Sequence, residues 1–162
     1  MINFDRRINT SLAPHMLWVL MKQAIESPED SPIWPVELEH SEPLELSTGA
    51  TIQATYKVGP IPTQVRYIIT NFDEQGRTFS YKSSLSHPLK GGATLEVTSH
   101  QGGSTLRWHG SYRPRLHLLA PAALLFVKIY FLKHFFRRLE ENLRHYRPPF
   151  EFRESPRDSL RG

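Results

Sequence analysis

Between Val36 and Arg113 the apolar residues recur at every second position, and this one pattern restricts the chain more than any other. Ala50, Ile52, Ala54, Tyr56 and Val58 alternate with Thr51, Gln53, Thr55 and Lys57. Val65, Tyr67 and Ile69 repeat the pattern, as do Phe79 and Tyr81, then Ala93, Leu95 and Val97, then Leu106 and Trp108. A period of two places successive side chains on opposite faces of a strand, so each run has one apolar and one polar face. Turn-forming residues separate the runs: Ser47-Thr48-Gly49, Gly59-Pro60-Ile61-Pro62, Asp73-Glu74-Gln75-Gly76, Lys90-Gly91-Gly92 and Gln101-Gly102-Gly103. The expectation is an antiparallel meander of about six strands, covered on one side.

The flanks change period. Ile2, Phe4 and Ile8 alternate in a first strand over Ile2–Asn9. A helix follows from Pro14, where proline is pre-set for the first turn, and it ends at Ser27-Pro28. Leu17, Trp18, Met21, Ala24 and Ile25 form its apolar stripe, and the prolines at 28, 32 and 35 leave room for a short helical turn only. After the meander, Leu125, Leu132, Phe136, Leu139, Leu143 and Tyr146 step at helical spacing, which predicts a helix from about Ala120 to Pro148-Pro149. Glu140 and Arg144 form an i,i+4 pair on its outer side. This terminal helix is the one element long enough to cover the sheet. A straight helix cannot cover six strands, so the sheet must curl around it, with the Pro14 helix closing one end. The space left between curled sheet and helix is a natural apolar pocket.

Composition bounds the chemistry. With 162 residues the chain is one ordinary domain, residues 1–147, followed by a polar, proline-punctuated tail at 148–162. It has no cysteine, which excludes disulfides, thiolate catalysis and cysteine-held metals. Asn3, Asp5, Arg6, Arg7 and Asn9 interrupt any export signal, so a soluble, cytoplasmic protein is expected. Charge is uneven: residues 1–106 hold eight Lys/Arg against eleven Asp/Glu, and residues 107–162 hold twelve against five. Lys133, Arg137 and Arg138 on the terminal helix could therefore meet an anionic membrane surface, or simply form a solvated basic face. No nucleic-acid-reading motif accompanies these cations.

Catalytic motifs are missing. No two of the eight histidines stand at i and i+4, and although His109 and His117 could converge, no third metal ligand is indicated. There is no Gly-x-Ser-x-Gly elbow, and the paired glycines at 91–92 and 102–103 belong to turns. Glu37, Glu39, Glu42 and Glu45 form an acidic strand edge facing solvent. The apolar run Leu118–Val127 is too short to span a bilayer and is followed by Lys128; it is either buried under the sheet or rests on a membrane surface. The aromatics carry the strongest signal. Tyr56, Tyr67, Phe79, Tyr81 and Trp108, with Tyr112 beyond them, share the inward phase of successive strands. They are either plain core or the wall of a chamber whose tyrosine hydroxyls need partners. The expected pocket is lined by Tyr56, Tyr67, Phe79 and Tyr81, by Leu95 and Trp108, and from the helix by Leu125, Ile129 and Leu132.

The order strand, helix, short helix, meander, long helix resembles the START-like, or helix-grip (SRPBCC), superfamily, an α+β fold in which a curved antiparallel sheet grips a C-terminal helix. Local matches resemble its polyketide cyclase/dehydrase group: Ile8-Asn9-Thr10-Ser11-Leu12-Ala13-Pro14 running into Leu17-Trp18, then Trp34-Pro35, then Gly103-Ser104-Thr105-Leu106-Arg107-Trp108. Ala13 departs from the serine or threonine cap that many relatives carry there. The resemblance implies an apolar cavity and no universal catalytic residue. The expected function is therefore cofactor-free binding of a hydrophobic or amphipathic small molecule that is lipid-, quinone- or polyketide-like. The alternatives are a cyclase or aromatase acting on a polyketide-like substrate, and a peripheral membrane or interaction module.

Overall fold

The computed structural model describes residues 1–149 except 37, 43, 59 and 60. The tail from residue 150, the Gly59-Pro60 part of one expected turn and the acidic edge at Glu37 lie outside the described residues. Strand β1 (Ile2–Thr10) leads to helix α1 (Pro14–Glu26), a single 3-10 turn at Pro28–Asp30 and then β2 (Leu38–Ser41). The meander continues through β3 (Thr51–Val58), β4 (Ile61–Asp73), β5 (Thr78–Ser83), β6 (Leu89–His100) and β7 (Gly103–Pro114). The terminal helix has three parts: α2 (Ala120–Phe126), a π-helical segment (Val127–Phe135) and α3 (Phe136–His145).

All seven strands form one antiparallel sheet in the order β1-β7-β6-β5-β4-β3-β2. The first strand thus pairs with the last, from Ile2 opposite Tyr112 to Thr10 opposite Ser104. On the outer face Arg107 ties three strands together, holding Asp5 of β1 at 2.8 Å and Glu96 of β6 at 3.0 Å. Irregular pairing at Leu38/His40 and Ile69/Asn71 bends the far strands. Gly91-Gly92, expected in a turn, lie inside β6 instead, and the chain reverses before them at 84–88. Their role is to let backbones approach. Gly91 holds φ +152°, and a Cβ on Gly92 would strike the Tyr81 carbonyl oxygen. Turns and tight sheet bends ask for the same residue, which is why the sequence pattern does not separate them.

Helix α1 begins at Pro14 after an extended Ala13 whose side chain supplies no cap, as the sequence implies. It buries Leu17, Trp18, Leu20, Met21, Ala24 and Ile25 against β6 and β7. Trp18 Nε1 donates to Glu74 Oε1 at 3.0 Å, which pins α1 to the β4–β5 turn. Fully buried Ser104 donates from Oγ to the Leu12 carbonyl at 2.7 Å, which fixes the chain entering α1.

The terminal helix keeps its expected phase only in its second half. Phe136, Leu139 and Leu143 are buried as predicted. Above them the i,i+5 bonding of the π segment takes up roughly one extra residue per turn and rotates the apolar face. Val127 and Phe135 are buried, whereas Leu125 and Ile129 are turned outward, 58% and 49% exposed. Replacing Leu139 by Ala should cost about 2–5 kcal/mol in urea denaturation. Leu125→Ala should stay within about 0.5 kcal/mol, because its side chain meets solvent. Equal costs would refute this helix phase.

Candidate functional site

Between the inner face of the sheet and the terminal helix lie two adjoining cavities. The first, of about 150 Å³, has Tyr56, Tyr67, Phe79, Tyr81 and Trp108 on its sheet side. Trp34 and Val36, from the connection after α1, close one end, and Phe126, Tyr130, Phe131 and Phe135 form the helix side. The second, of about 290 Å³, lies among His87, Pro88 and Leu89 at the start of β6, Tyr112 of β7, and Ala123 and Val127 of the helix. Val65, Tyr67, Phe126 and Phe131 border both. Together the two enter the size range of small-molecule sites, roughly 300–1,000 Å³.

The strand alternation accounts for the sheet side. Tyr56, Tyr67, Phe79, Tyr81 and Trp108 meet on the first cavity as their shared phase implies. Leu95 does not line it: it is fully buried between Phe79 and Trp108 in register and belongs to the closed core. On the helix, Leu132 packs half-buried against that core, while Leu125 and Ile129 face outward for the reason given above. Their places are taken by Phe126, Tyr130, Phe131 and Phe135, which sequence reasoning did not select. Their i,i+4 and i,i+5 spacing, with Phe126 stacked on Tyr130 at 5.2 Å and Phe131 near Phe135 at 5.1 Å, was the available signal.

Three polar side chains of the chamber are connected. Trp108 Nε1 donates to the Tyr81 hydroxyl at 3.1 Å, and the Tyr112 hydroxyl donates to the same oxygen at 3.2 Å. Tyr67 packs edge-on to Tyr81 with ring centroids 5.0 Å apart, and its hydroxyl lies within reach of Tyr112. Burial raises the pKa of all four phenols, Tyr56, Tyr67, Tyr81 and Tyr112. Tyr81 reaches about 12, with the bonds from Tyr112 and Trp108 opposing the rise. At neutral pH these side chains are protonated hydrogen-bonding groups, not bases. His87 is buried, and burial lowers its pKa, so its ring is neutral as well. Its main-chain carbonyl accepts from Arg115 Nε at 2.8 Å.

Other expected features lie apart from this chamber. His109 faces Glu96 at 4.0 Å beside the Arg107 clamp, and His117 is exposed. Among the described residues no three His, Cys, Asp or Glu side chains are grouped to hold a metal ion. None of the described helices is long and apolar enough to cross a membrane. Glu45 is exposed, whereas Glu42, also exposed, lies at the edge of the first cavity.

A curled antiparallel sheet gripping a C-terminal helix, with an apolar chamber between them, defines the helix-grip fold. A family model described as polyketide cyclase/dehydrase and lipid transport matches residues 1–146, and the chain belongs to that family. Solved structures agree on the fold. Ara h 8.0201 superposes with a TM-score of 0.64 at 16% identity, covering 88% of this chain and 97% of that one. The di-domain ARO/CYC protein BexL, from the BE-7585A biosynthetic pathway, gives 0.65 at 17% identity over 90% of this chain and 46% of its own. Norcoclaurine synthase from Thalictrum flavum, in complex with dopamine and hydroxybenzaldehyde, gives 0.65 at 11% identity, covering 86% and 84%. In sequence, no curated protein matches the chain.

The hydroxyl network makes a direct prediction. Tyr81→Phe leaves the buried Trp108 indole N–H without its acceptor. The variant should lose about 1–3 kcal/mol of stability in urea denaturation. A variant as stable as the parent would show that the network contributes nothing.

Proposed function

We propose that the protein binds one hydrophobic or amphipathic small molecule, lipid-, quinone- or polyketide-like, in the double cavity between sheet and helix. The observation that carries this reading is the chamber itself: aromatic walls, a mostly apolar lining, and the hydroxyls of Tyr81 and Tyr112 bonded to one another. Tyr56, Tyr67, Phe79, Tyr81 and Trp108 form its sheet wall, opposite Phe126, Phe131 and Phe135 of the helix. The raised tyrosine pKa values support binding over proton abstraction, because a phenol that keeps its proton to about pH 12 offers a hydrogen bond at pH 7 and no base. The family description, which names lipid transport beside cyclase chemistry, is consistent with carriage.

Native mass spectrometry of protein purified without detergent should show a co-purified small molecule. A fluorescent apolar probe, 1-anilinonaphthalene-8-sulfonate, should bind with one site per chain. Ala54, buried on β3 at the first cavity, is the place to block it. In Ala54→Phe the probe should weaken at least about tenfold, equivalent to about 1.4 kcal/mol. Unchanged affinity in a folded Ala54→Phe would place the probe elsewhere and remove the reading.

A second observation concerns delivery. Leu116, Leu118, Leu125 and Ile129 are exposed around α2, next to the Phe126 that borders both cavities. Exposed Lys133, Arg137 and Arg138 follow on the same helix, with Arg137 3.7 Å from Glu141. Leucines flanked by cations suit the surface of an anionic membrane, each cation contributing about 1 kcal/mol there. Sedimentation with phosphatidylserine vesicles at low salt should fall sharply when Lys133, Arg137 and Arg138 become Gln, and should weaken with salt over a screening length of about 8–10 Å. Indifference of the wild-type protein to such vesicles would reduce the stripe to a solvated face.

A further inference from the structure

Four phenols line the first cavity, Tyr56, Tyr67, Tyr81 and Tyr130, and they are not equally engaged. Tyr81 accepts from Trp108 and Tyr112, and Tyr67 reaches Tyr112. Tyr56, on β3 opposite Thr63 of β4, has no hydrogen-bond partner for its hydroxyl among the described residues. Nor is that oxygen shut away. Three unpartnered side-chain nitrogens are fully enclosed among the described residues, Trp34 Nε1, Arg77 Nε and His87 Nε2, and the Tyr56 hydroxyl does not share their condition. Burial nevertheless raises its pKa, and the phenols of Tyr81 and Tyr130, on the sheet and helix sides of the cavity, are near enough to oppose its ionisation. An oxygen removed from bulk water, unbonded and flanked by two lining side chains faces the space of the cavity.

The lining also restricts charge. Among the described residues that border either cavity there is no lysine and no arginine. The one basic side chain is His87, which is neutral because burial lowers its pKa. Arg115 beside it directs Nε and Nη2 to the carbonyls of His87 and Ser84, at 2.8 and 2.9 Å. The one acidic side chain is Glu42, at the exposed edge of the first cavity. A carboxylate or phosphate drawn inside would lose its water and meet no counter-ion, which is strongly unfavourable. An anionic amphiphile, the sulfonate probe included, can enter only with its head left in water, as beside the exposed Phe126.

Resting on the binding reading above, we infer that Tyr56 holds the ligand by an uncharged oxygen, a hydroxyl or a carbonyl, and that the ligand buries no anionic head group. A phenol both donates and accepts, so it serves either kind of oxygen. Quinones and polyketide-like carbonyl compounds meet this requirement. A fatty acid with its carboxylate inside does not.

Four probes with one skeleton test this by equilibrium dialysis at pH 7: naphthalene, 2-naphthol, 2-naphthamide and 2-naphthoate. The wild-type protein should prefer 2-naphthol to naphthalene by about 3–10-fold, the worth of one net hydrogen bond. It should bind neutral 2-naphthamide at least about tenfold more tightly than 2-naphthoate, which has the same size and a negative charge. Tyr56→Phe removes only an unbonded oxygen, so the variant should unfold at the parent's urea midpoint and bind naphthalene as before. It should lose the preference for 2-naphthol. A lowered midpoint would show that the hydroxyl has a partner within the protein and would overturn the contact, as would a preference for 2-naphthol that survives in Tyr56→Phe. Equal affinity for 2-naphthamide and 2-naphthoate would overturn the uncharged ligand. In each of these cases naphthalene binding that Ala54→Phe blocks would leave cavity binding standing. Failure of all four probes to bind would bring down both readings.

Discussion

One helix, about 10–12 Å across, cannot cover the face of seven strands spaced about 4.8 Å apart. Everything distinctive in this fold follows from that mismatch. The sheet must wrap to bring its apolar face onto the helix, and the devices that bend it are local: a pairing irregularity at Ile69/Asn71, another at Leu38/His40, and glycines in β6 where a side chain would collide with the next strand. The Arg107 clamp holds the strongly paired end, where β1, β7 and β6 meet. Curvature leaves an interior wider than the helix at the other end, and the chamber occupies that excess.

The interior is filled differently along its length. Beside β1, Phe4 contacts Phe136 while Leu139 and Leu143 complete a closed core with α1. Toward α2 the side chains are large and flat, and flat rings meeting edge-on, such as Trp108 with Phe135 at 5.4 Å, pack with more space between them than branched aliphatics would. Burying tyrosines there demands that their hydroxyls find partners, and the Trp108–Tyr81–Tyr112 chain meets that demand for Tyr81 and Tyr112. Trp34 and His87 stand outside that chain.

Alternation made the sheet legible, because a period of two survives whatever the neighbours do. The five sheet-side residues from Tyr56 to Trp108 were readable for that reason, and Leu95 was misassigned because inward phase does not distinguish a wall from a closed core. Pairing of β1 with β7 was not legible, since no short-range signal names a partner a hundred residues away. The helix was half legible. Phe136, Leu139 and Leu143 obey the α period, but the switch to π bonding at Val127–Phe135 changes the angle per residue without changing residue type. Leu125, Phe126, Ile129 and Phe131 are equally apolar, so only the backbone decides which of them faces the sheet. An unpartnered nitrogen such as His87 Nε2 is defined by what is absent around it, and no linear pattern records that.

The π-helical segment has a consequence for how such a protein changes over evolutionary time. Phe126 and Tyr130 shape the chamber without joining the buried core, whereas Phe131 packs on Phe4 and Phe136 and belongs to both. Substitutions at Phe126 and Tyr130 reshape the hollow while Leu17, Met21 and Leu139 stay enclosed. Part of the chamber's shape can thus vary at helix positions on which the folded core does not depend.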